Sequence, residues 1–221
     1  MVESQTIHTR RLPVDRERPD PAVIAEAAAI LRAGGVVAFP TETVYGLAAV
    51  ITDDAAVRRV FAVKGRPEGK PLIAHLARVE QVALVARAVP PVARELMARF
   101  FPGPLTLVLP RRPELPDSVT AGGDTVAVRM PDHAVARALI EAVGVPLAAP
   151  SANRSGARSA VSADDVMADL GGRIELVLDA GPARLQVPST VVDLTVEPPR
   201  VVRHGAVPAV ALRPYLPNLS D

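Results

Sequence analysis

Six short segments hold most of the side chains able to do chemistry: PTETVYG (40–46), KGRPEGKPLIAH (64–75), TVAVRMP (125–131), PSANRSGARS (150–159), PST (188–190) and RVVRHG (200–205). The first sets two threonines, a glutamate and a tyrosine between the apolar runs VVAF and LAAV. Cations spread over several segments suit a polyanion. Hydroxyls and an amide beside them suit a small polar ligand and fix its orientation. Lysine occurs only twice, as Lys64 and Lys70, against 23 arginines, and both fall within KGRPEGK. Either a compact ammonium is wanted there or a solvated loop happens to hold both.

Each of these residues also has a plainer reading. Arg129 on an alternating strand can face solvent. Ser151 and Asn153 after a proline can be turn residues. Ser189 and Thr190 can simply begin a strand, and His75 in an apolar strand can be a hydrogen-bonded core histidine. Glu42 can hold its loop through a backbone hydrogen bond or touch a substrate. Only their joint occurrence points to a site.

Several function classes are excluded or disfavoured. No cysteine is present, so disulfides and thiolate metal sites are out, and the four histidines form no HExxH pair. Gly65 to Lys70 fails the phosphate-loop pattern, because the first glycine is one position too close and Pro71 stands where a hydroxyl is required. No GxGxxG occurs, and Ser155 lacks the glycine a nucleophile elbow needs two positions earlier. With 25 basic and 24 acidic residues the net charge is +1, which argues against a globally basic nucleic-acid protein and leaves room for a local patch. No apolar run reaches the roughly 18 residues of a membrane span. The first twenty residues mix both charges without the apolar stretch of a signal peptide, so a soluble cytoplasmic protein is expected.

The elements that must position these side chains interleave. Asp20-Pro21 predicts a helix start, with Val23, Ile24, Ala27, Ile30 and Leu31 on one face and Gly34 at the end. VVAF is a short buried strand. Thr52 or Asp53 caps a second helix that ends near Gly65. Strands follow at 71–76, 104–110 and 125–130, with two helical stretches split by Pro90-Pro91 and a long polar loop, RRPELPDSVTAGGD. A helix at 132–143 closes at Gly144, VPLAAP is a strand, and Ser162 with Asp165 makes a capping box. IELVLD, STVVDL and RVVRH are strands without helices between them, so the α/β sheet is expected to be mixed. The tail after Val207 reads as irregular.

Taken in order, PTETVYGL, KGRP…PL…H, VAVRMP, PSANRSG, PSTVVD and R-x-G resemble the YrdC-like family of L-threonylcarbamoyladenylate synthases, from about Pro21 to Val207. The resemblance implies a catalytic domain over 1–207 and a Pro-containing tail over 208–221. It implies an α/β fold: a twisted mixed sheet with flanking helices, in the open, concave YrdC/RibB-like architecture. It also implies a reaction joining L-threonine, bicarbonate or CO2 and ATP into threonylcarbamoyl-AMP and pyrophosphate. A downstream transferase then uses the product to modify tRNA, and Mg²⁺ is carried by the nucleotide phosphates rather than by a protein metal site.

Carried over residue by residue, the family's signature falls on Lys64, Arg66, Ser151 and Asn153 as catalytic residues. The threonine side takes Thr43, His75, Arg129 and Ser189. The nucleotide side takes Arg66, Lys70, Thr125, Ser151, Asn153, Ser159 and Arg203. No covalent nucleophile is needed, and the work is positioning, charge stabilisation and water exclusion. The departures are Leu185-Gln186-Val187, where relatives often have a glycine, RHG in place of R-P-G, and the tail, with Tyr215, as a partial lid. Competing expectations are a double-stranded RNA or tRNA-binding module, a carbamoyl-AMP-forming carbamoyltransferase and a non-catalytic paralogue.

Overall fold

The computed structural model describes residues 7–220, so the N-terminal reading at positions 1–6 and the last tail residue lie outside the described residues. Local chemistry starts the helices as expected. Asp20 caps α1 (Pro21–Arg32), its carboxylate accepting from the Ala22 N–H at 2.8 Å. Asp53 caps α2 (Asp54–Lys64) in the same way through Ala56, and Gly65 ends that helix at φ 58°. Pro91 opens α3 (Pro91–Phe100). His133 stands before α5 (Ala134–Val143) without a side-chain cap bond, and Ser162 with Asp165 closes a full capping box on α6 (Ala163–Leu170).

Ten strands form one mixed sheet: β1 (Arg10–Pro13), β2 (Val37–Phe39), β3 (Gly46–Val50), β4 (Ile73–His75), β5 (Leu105–Pro110), β6 (Thr125–Arg129), β7 (Leu147–Ala149), β8 (Leu176–Asp179), β9 (Thr190–Asp193) and β10 (Arg200–Arg203). Their order across the sheet is β1-β8-β2-β3-β7-β4-β6-β5-β9-β10. Register fixes which side chains share a face, because residues paired directly across strands point the same way. Ile73 pairs with Ala127 and Ala149, His75 with Arg129 and Leu147, and Val108 with Ala127.

One face is covered along most of its length. Val57, Val60 and Phe61 of α2 and Leu96 and Met97 of α3 pack in one core with Ala74, Leu105, Leu107, Val128 and Val192 of the strands. The opposite face is covered over half its width only. There α1 (Ile24, Ala27, Leu31) and α5 (Val135, Leu139, Ile140) bury Val37, Phe39, Leu147, Leu176 and Leu178. Over β4, β6, β5 and β9 that same face is open, and a concavity results.

The structure departs from the sequence reading in four places. The strand β1 was not expected, because Leu12 is its only clearly apolar strand former; it is made by parallel pairing to β8 and by Arg11 bonding Asp179 and Asp164. Of the two helical stretches expected on either side of Pro90-Pro91, the first is a 3₁₀ turn at Val79–Leu84, whose start at Arg78 has no side-chain cap. The loop after β5 contains a short helix α4 (Asp117–Thr120), anchored by Ser118 donating to Asp54 at 2.6 Å. The tail is not irregular throughout: α7 (Ala209–Leu212) forms, and Leu212, Leu216 and Leu219 enter the larger core. Tyr215, expected in a lid, packs edge-on against Phe100 at 5.8 Å between ring centroids. Within Leu185-Gln186-Val187, the stretch that stands where relatives often have a glycine, Gln186 takes φ 56°, the left-handed conformation that glycine favours.

Candidate active site

The open half of the sheet face is the floor of a cavity of about 710 Å³. Its deepest cation is Arg129, the last residue of β6. Strand alternation turns Ala127 and Arg129 into the cavity while Val126 and Val128 enter the core. Arg129 is 3% exposed, so it does not face solvent. Its Nη2 donates to the Glu42 carboxylate at 2.6 Å and its Nε to the Gly103 carbonyl at 3.2 Å. Its Nη1 makes no hydrogen bond within the described residues. Glu42 is 1% exposed, so the pair is a desolvated one. The plainer reading of Glu42 as a loop holder holds only in part. Its backbone carbonyl accepts from Leu185 while its side chain holds Arg129.

His75, two residues after Ile73 on the same face, lies beside Arg129. Its Nδ1–H can donate to the Ile73 carbonyl at 3.2 Å, and its ring stands edge-on to Phe39 at 5.7 Å. Burial, with Arg129 and Arg203 adding repulsion, pushes its pKa down to about 3, so the imidazole is neutral. The Phe39 ring lies on Gly46 across the β2–β3 pair. A Cβ there would meet it at 2.6 Å, which is why a glycine closes PTETVYG.

The other wall comes from two loops stitched together by backbone bonds. Tyr45 N–H donates to Ala160, Leu47 to Pro150, and Ala152 to Tyr45. Lys64, at the end of α2, is buried beneath them. Its ammonium donates to the Ser151 carbonyl at 2.5 Å and to the Asn153 carbonyl. Burial first, and the nearby Arg66 second, lower its pKa to about 8. Ser151 donates to the Asn153 side-chain oxygen at 2.5 Å, and the Asn153 amide donates to the Arg154 and Ala157 carbonyls. Arg66 reaches the Lys70 and Pro71 carbonyls with Nη2 and keeps a buried Nε without a partner.

On the far side, Arg203 of β10 donates to the Ser189 carbonyl from Nε at 3.0 Å and to its hydroxyl from Nη2 at 2.9 Å. Ser189 also shares a 2.8 Å bond with Thr106. A Cβ on Gly205 would meet the Pro188–Thr190 backbone at 2.4 Å, so the R-x-G glycine lets the two segments touch.

The structure therefore brings Arg66, Lys70, His75, Arg129, Ser151, Ser159, Ser189 and Arg203 to one cavity. Lys64 and Asn153 lie behind its wall as supports. Thr43 is fully buried against Thr41 at 2.9 Å between hydroxyls, and it is Thr41 that lines the cavity. Thr125 shares the face of Ala127 and Arg129 but lies beyond the lining. The sequence reading missed an apolar strip of Ile73, Val108, Ala127, Val191 and Val202 along the floor. Alternation from His75, Arg129 and Ser189 would have found most of it. The lining contains no carboxylate, and among the described residues no three His, Asp or Glu side chains gather as metal ligands. Nor is any described helix long and apolar enough to cross a membrane.

Comparison with known proteins fits this geometry. A family model described as "Telomere recombination", covering Sua5, YciO and YrdC proteins, matches residues 29–205. The chain is 51% identical over 193 residues to the threonylcarbamoyl-AMP synthase of Pyrococcus abyssi, covering 87% of this chain and 57% of that protein. It is 49% identical over 185 residues to the Bacillus subtilis protein of the same name, covering 83% and 54%. The structure of P. abyssi Sua5 complexed with L-threonine superposes with a TM-score of 0.91 at 48% identity, over 94% of this chain and 61% of that one. The chain thus spans little more than half the length of the curated relatives it matches. With the open concave sheet and the matched span covering most of the chain, the protein belongs to the Sua5/YciO/YrdC family.

Proposed function

We propose that this chain makes threonylcarbamoyl-AMP and pyrophosphate from L-threonine, bicarbonate or CO2, and ATP. The observation that carries the reading is the division of one cavity into two chemistries. A buried arginine with one edge held by Glu42 lies beside a neutral histidine and the Ser189 hydroxyl. Arg66, Lys70 and Arg203 supply three further cations around the same space.

The Arg129 edge fits the threonine carboxylate. His75, being neutral, does not repel the amine, and with Ser189 it offers polar contacts to the threonine amine and hydroxyl. The neutral threonine amine adds to CO2 and gives up a proton to solvent, leaving an N-carboxylate; with hydrogencarbonate as the source, that proton leaves in the water released. A carboxylate oxygen then attacks the α-phosphorus of ATP, and the bond to pyrophosphate breaks. Arg66, Lys70 and Arg203 stabilise the charge on the leaving polyanion. Lys64 acts chiefly by fixing the Ser151–Asn153 loop. Mg²⁺, where used, would arrive on the phosphates, since the lining has no carboxylate to hold it. Thr125 is assigned to the outer end of the nucleotide side and Thr43 to support of Thr41. The product would pass to a separate tRNA-modifying transferase, which implies a cytoplasmic protein.

The test is threonine-dependent release of pyrophosphate from ATP in bicarbonate buffer. Arg66→Ala and Lys64→Ala should reduce it at least about hundredfold while the fold persists. Turnover with carbamoyl phosphate and none with threonine would overturn the reading in favour of carbamoyl transfer.

A further inference from the structure

A second cavity, of about 300 Å³, adjoins the first. Arg129 lines the first and Glu42 lines the second, so their ion pair is the partition between them. The second cavity is walled by His133, Ala134 and Arg137 at the start of α5, by Arg16 after β1, and by Arg184 and Glu42. Asp132 and Glu17 stand at its exposed edge.

Three of the five buried side-chain atoms that lack a hydrogen-bond partner among the described residues belong to this one wall: Glu42 Oε1, His133 Nδ1 and Arg137 Nε. Glu42 and His133 are both more than nine-tenths buried. A buried polar atom left unpaired is costly, so three around one space point to an occupant.

The unmet demands define its chemistry. Arg184 is answered by Asp132 at 2.9 Å. Arg16 spends its Nη2 on the Ala180 and Pro182 carbonyls, and Arg137 has no ion pair among the described residues. The first turn of α5 adds backbone N–H groups without a side-chain cap. Arg137 and the helix start therefore want an acceptor, and their charge wants an anion. Glu42 Oε1 wants a donor. A fully deprotonated anion satisfies the first and repels Glu42. Water satisfies both but leaves one positive charge unanswered, since Arg16, Arg137 and Arg184 outnumber Asp132 and Glu17 by one while Glu42 is paired with Arg129. His133, kept neutral by burial and by Arg16 with a pKa of about 4, can serve an occupant from either tautomer.

We propose that this cavity binds a small oxyanion that retains a proton, hydrogencarbonate or hydrogenphosphate, with its O–H donating to Glu42 and its oxygens accepting from Arg137 and the first turn of α5. Its occupant bonds the residue that holds Arg129. On the reading proposed above, hydrogencarbonate would then sit one ion pair away from the amino acid with which it reacts.

The test does not use turnover, so it stands or falls apart from that reading. Imidazole ¹⁵N spectra of the full chain, with His133 assigned by its loss in His133→Gln, are titrated near pH 8 at fixed ionic strength. The three arms are hydrogencarbonate, inorganic phosphate and sulfate. The His133 signal should shift saturably with one or both of the first two, and which one responds names the source. Sulfate, the size of phosphate but without a proton, should bind at least about tenfold more weakly. Arg137→Gln should abolish the shift with the circular dichroism unchanged. Silence toward both hydrogen-bearing anions, an equal response to sulfate, or a shift that survives Arg137→Gln would each overturn the proposal.

Discussion

One face of this sheet is treated in two ways. Over β8, β2, β3 and β7 it is buried under α1 and α5, and the cluster there contains only alanine, valine, leucine, isoleucine and phenylalanine. Over β4, β6, β5 and β9 the same face carries His75, Arg129 and Ser189 among small apolar residues and is covered by no helix. The alternation of the strands is the same in both halves. What differs is the cover, and the boundary runs where Phe39 meets His75. A polar-lined cavity arises here by omitting a helix and giving the uncovered positions polar side chains held by second partners.

The largest test of that contrast is a matched pair of truncations. Leu139→Ala, in the covered half, should cost about 2–5 kcal/mol through the cavity it leaves. Arg129→Ala, in the open half, should cost about 3–5 kcal/mol for another reason: Glu42 would remain buried with its charge uncompensated. Urea unfolding measures both. Glu42→Gln with Arg129→Met should recover most of the second loss, since replacing both partners removes the stranded charge. No second change of polarity should rescue Leu139→Ala. If Arg129→Ala stays as costly beside Glu42→Gln, charge is not the cause and the contrast fails.

Most of this layout was legible in the sequence, and the failures share a cause. Caps such as Asp20, Asp53, Gly65 and Ser162 act through neighbours within a few residues, so their chemistry can be read locally. Alternation could also have set Ala127 on the face of Arg129, although that strip went unread. It could not tell that this face is open, because that depends on where α1 and α5 stop. Nor could it tell that Arg129 turns to Glu42, which lies 87 positions away. Lys64 reads from the family resemblance as a catalytic residue, yet its ammonium is occupied by two carbonyls of a distant loop. The strand β1 owes its existence to β8, and the tail owes its order to the core it enters. In each case the deciding partner is remote in sequence.

A second, intermediate effect separates the halves by pH. The covered cluster holds no titratable group, whereas His75 is buried with its pKa pushed down to about 3 from an ordinary 6.5. The folded chain thus holds the neutral imidazole. Stability from this group is full above about pH 6.5 and falls as the pH drops toward 3, because the unfolded chain takes up the proton first. The slope is up to about 1.4 kcal/mol per pH unit for one such proton. His75→Asn should flatten the decline between about pH 6 and 4, whatever it does to stability at neutral pH, and Leu139→Ala should only shift the curve. His133, lowered to about 4, supplies a similar and separate contribution that His75→Asn leaves in place.

The smallest expected effect on stability is the sharpest on function. Lys70 is exposed at the cavity edge and makes no ion pair among the described residues. Lys70→Ala should therefore change unfolding free energy by no more than about 0.5 kcal/mol. On the proposed reading, the same change removes one cation facing the triphosphate, and calorimetry should show ATP affinity falling about tenfold, more at low salt than at high. Glu42-held Arg129 is costly to remove because the fold has buried it, whereas Lys70 costs the fold nothing because water still solvates it. A cation without structural benefit, at the edge of an uncovered sheet face, is what a site for a charged ligand requires. Equal ATP binding by Lys70→Ala would mean that the open half is held open for some other occupant.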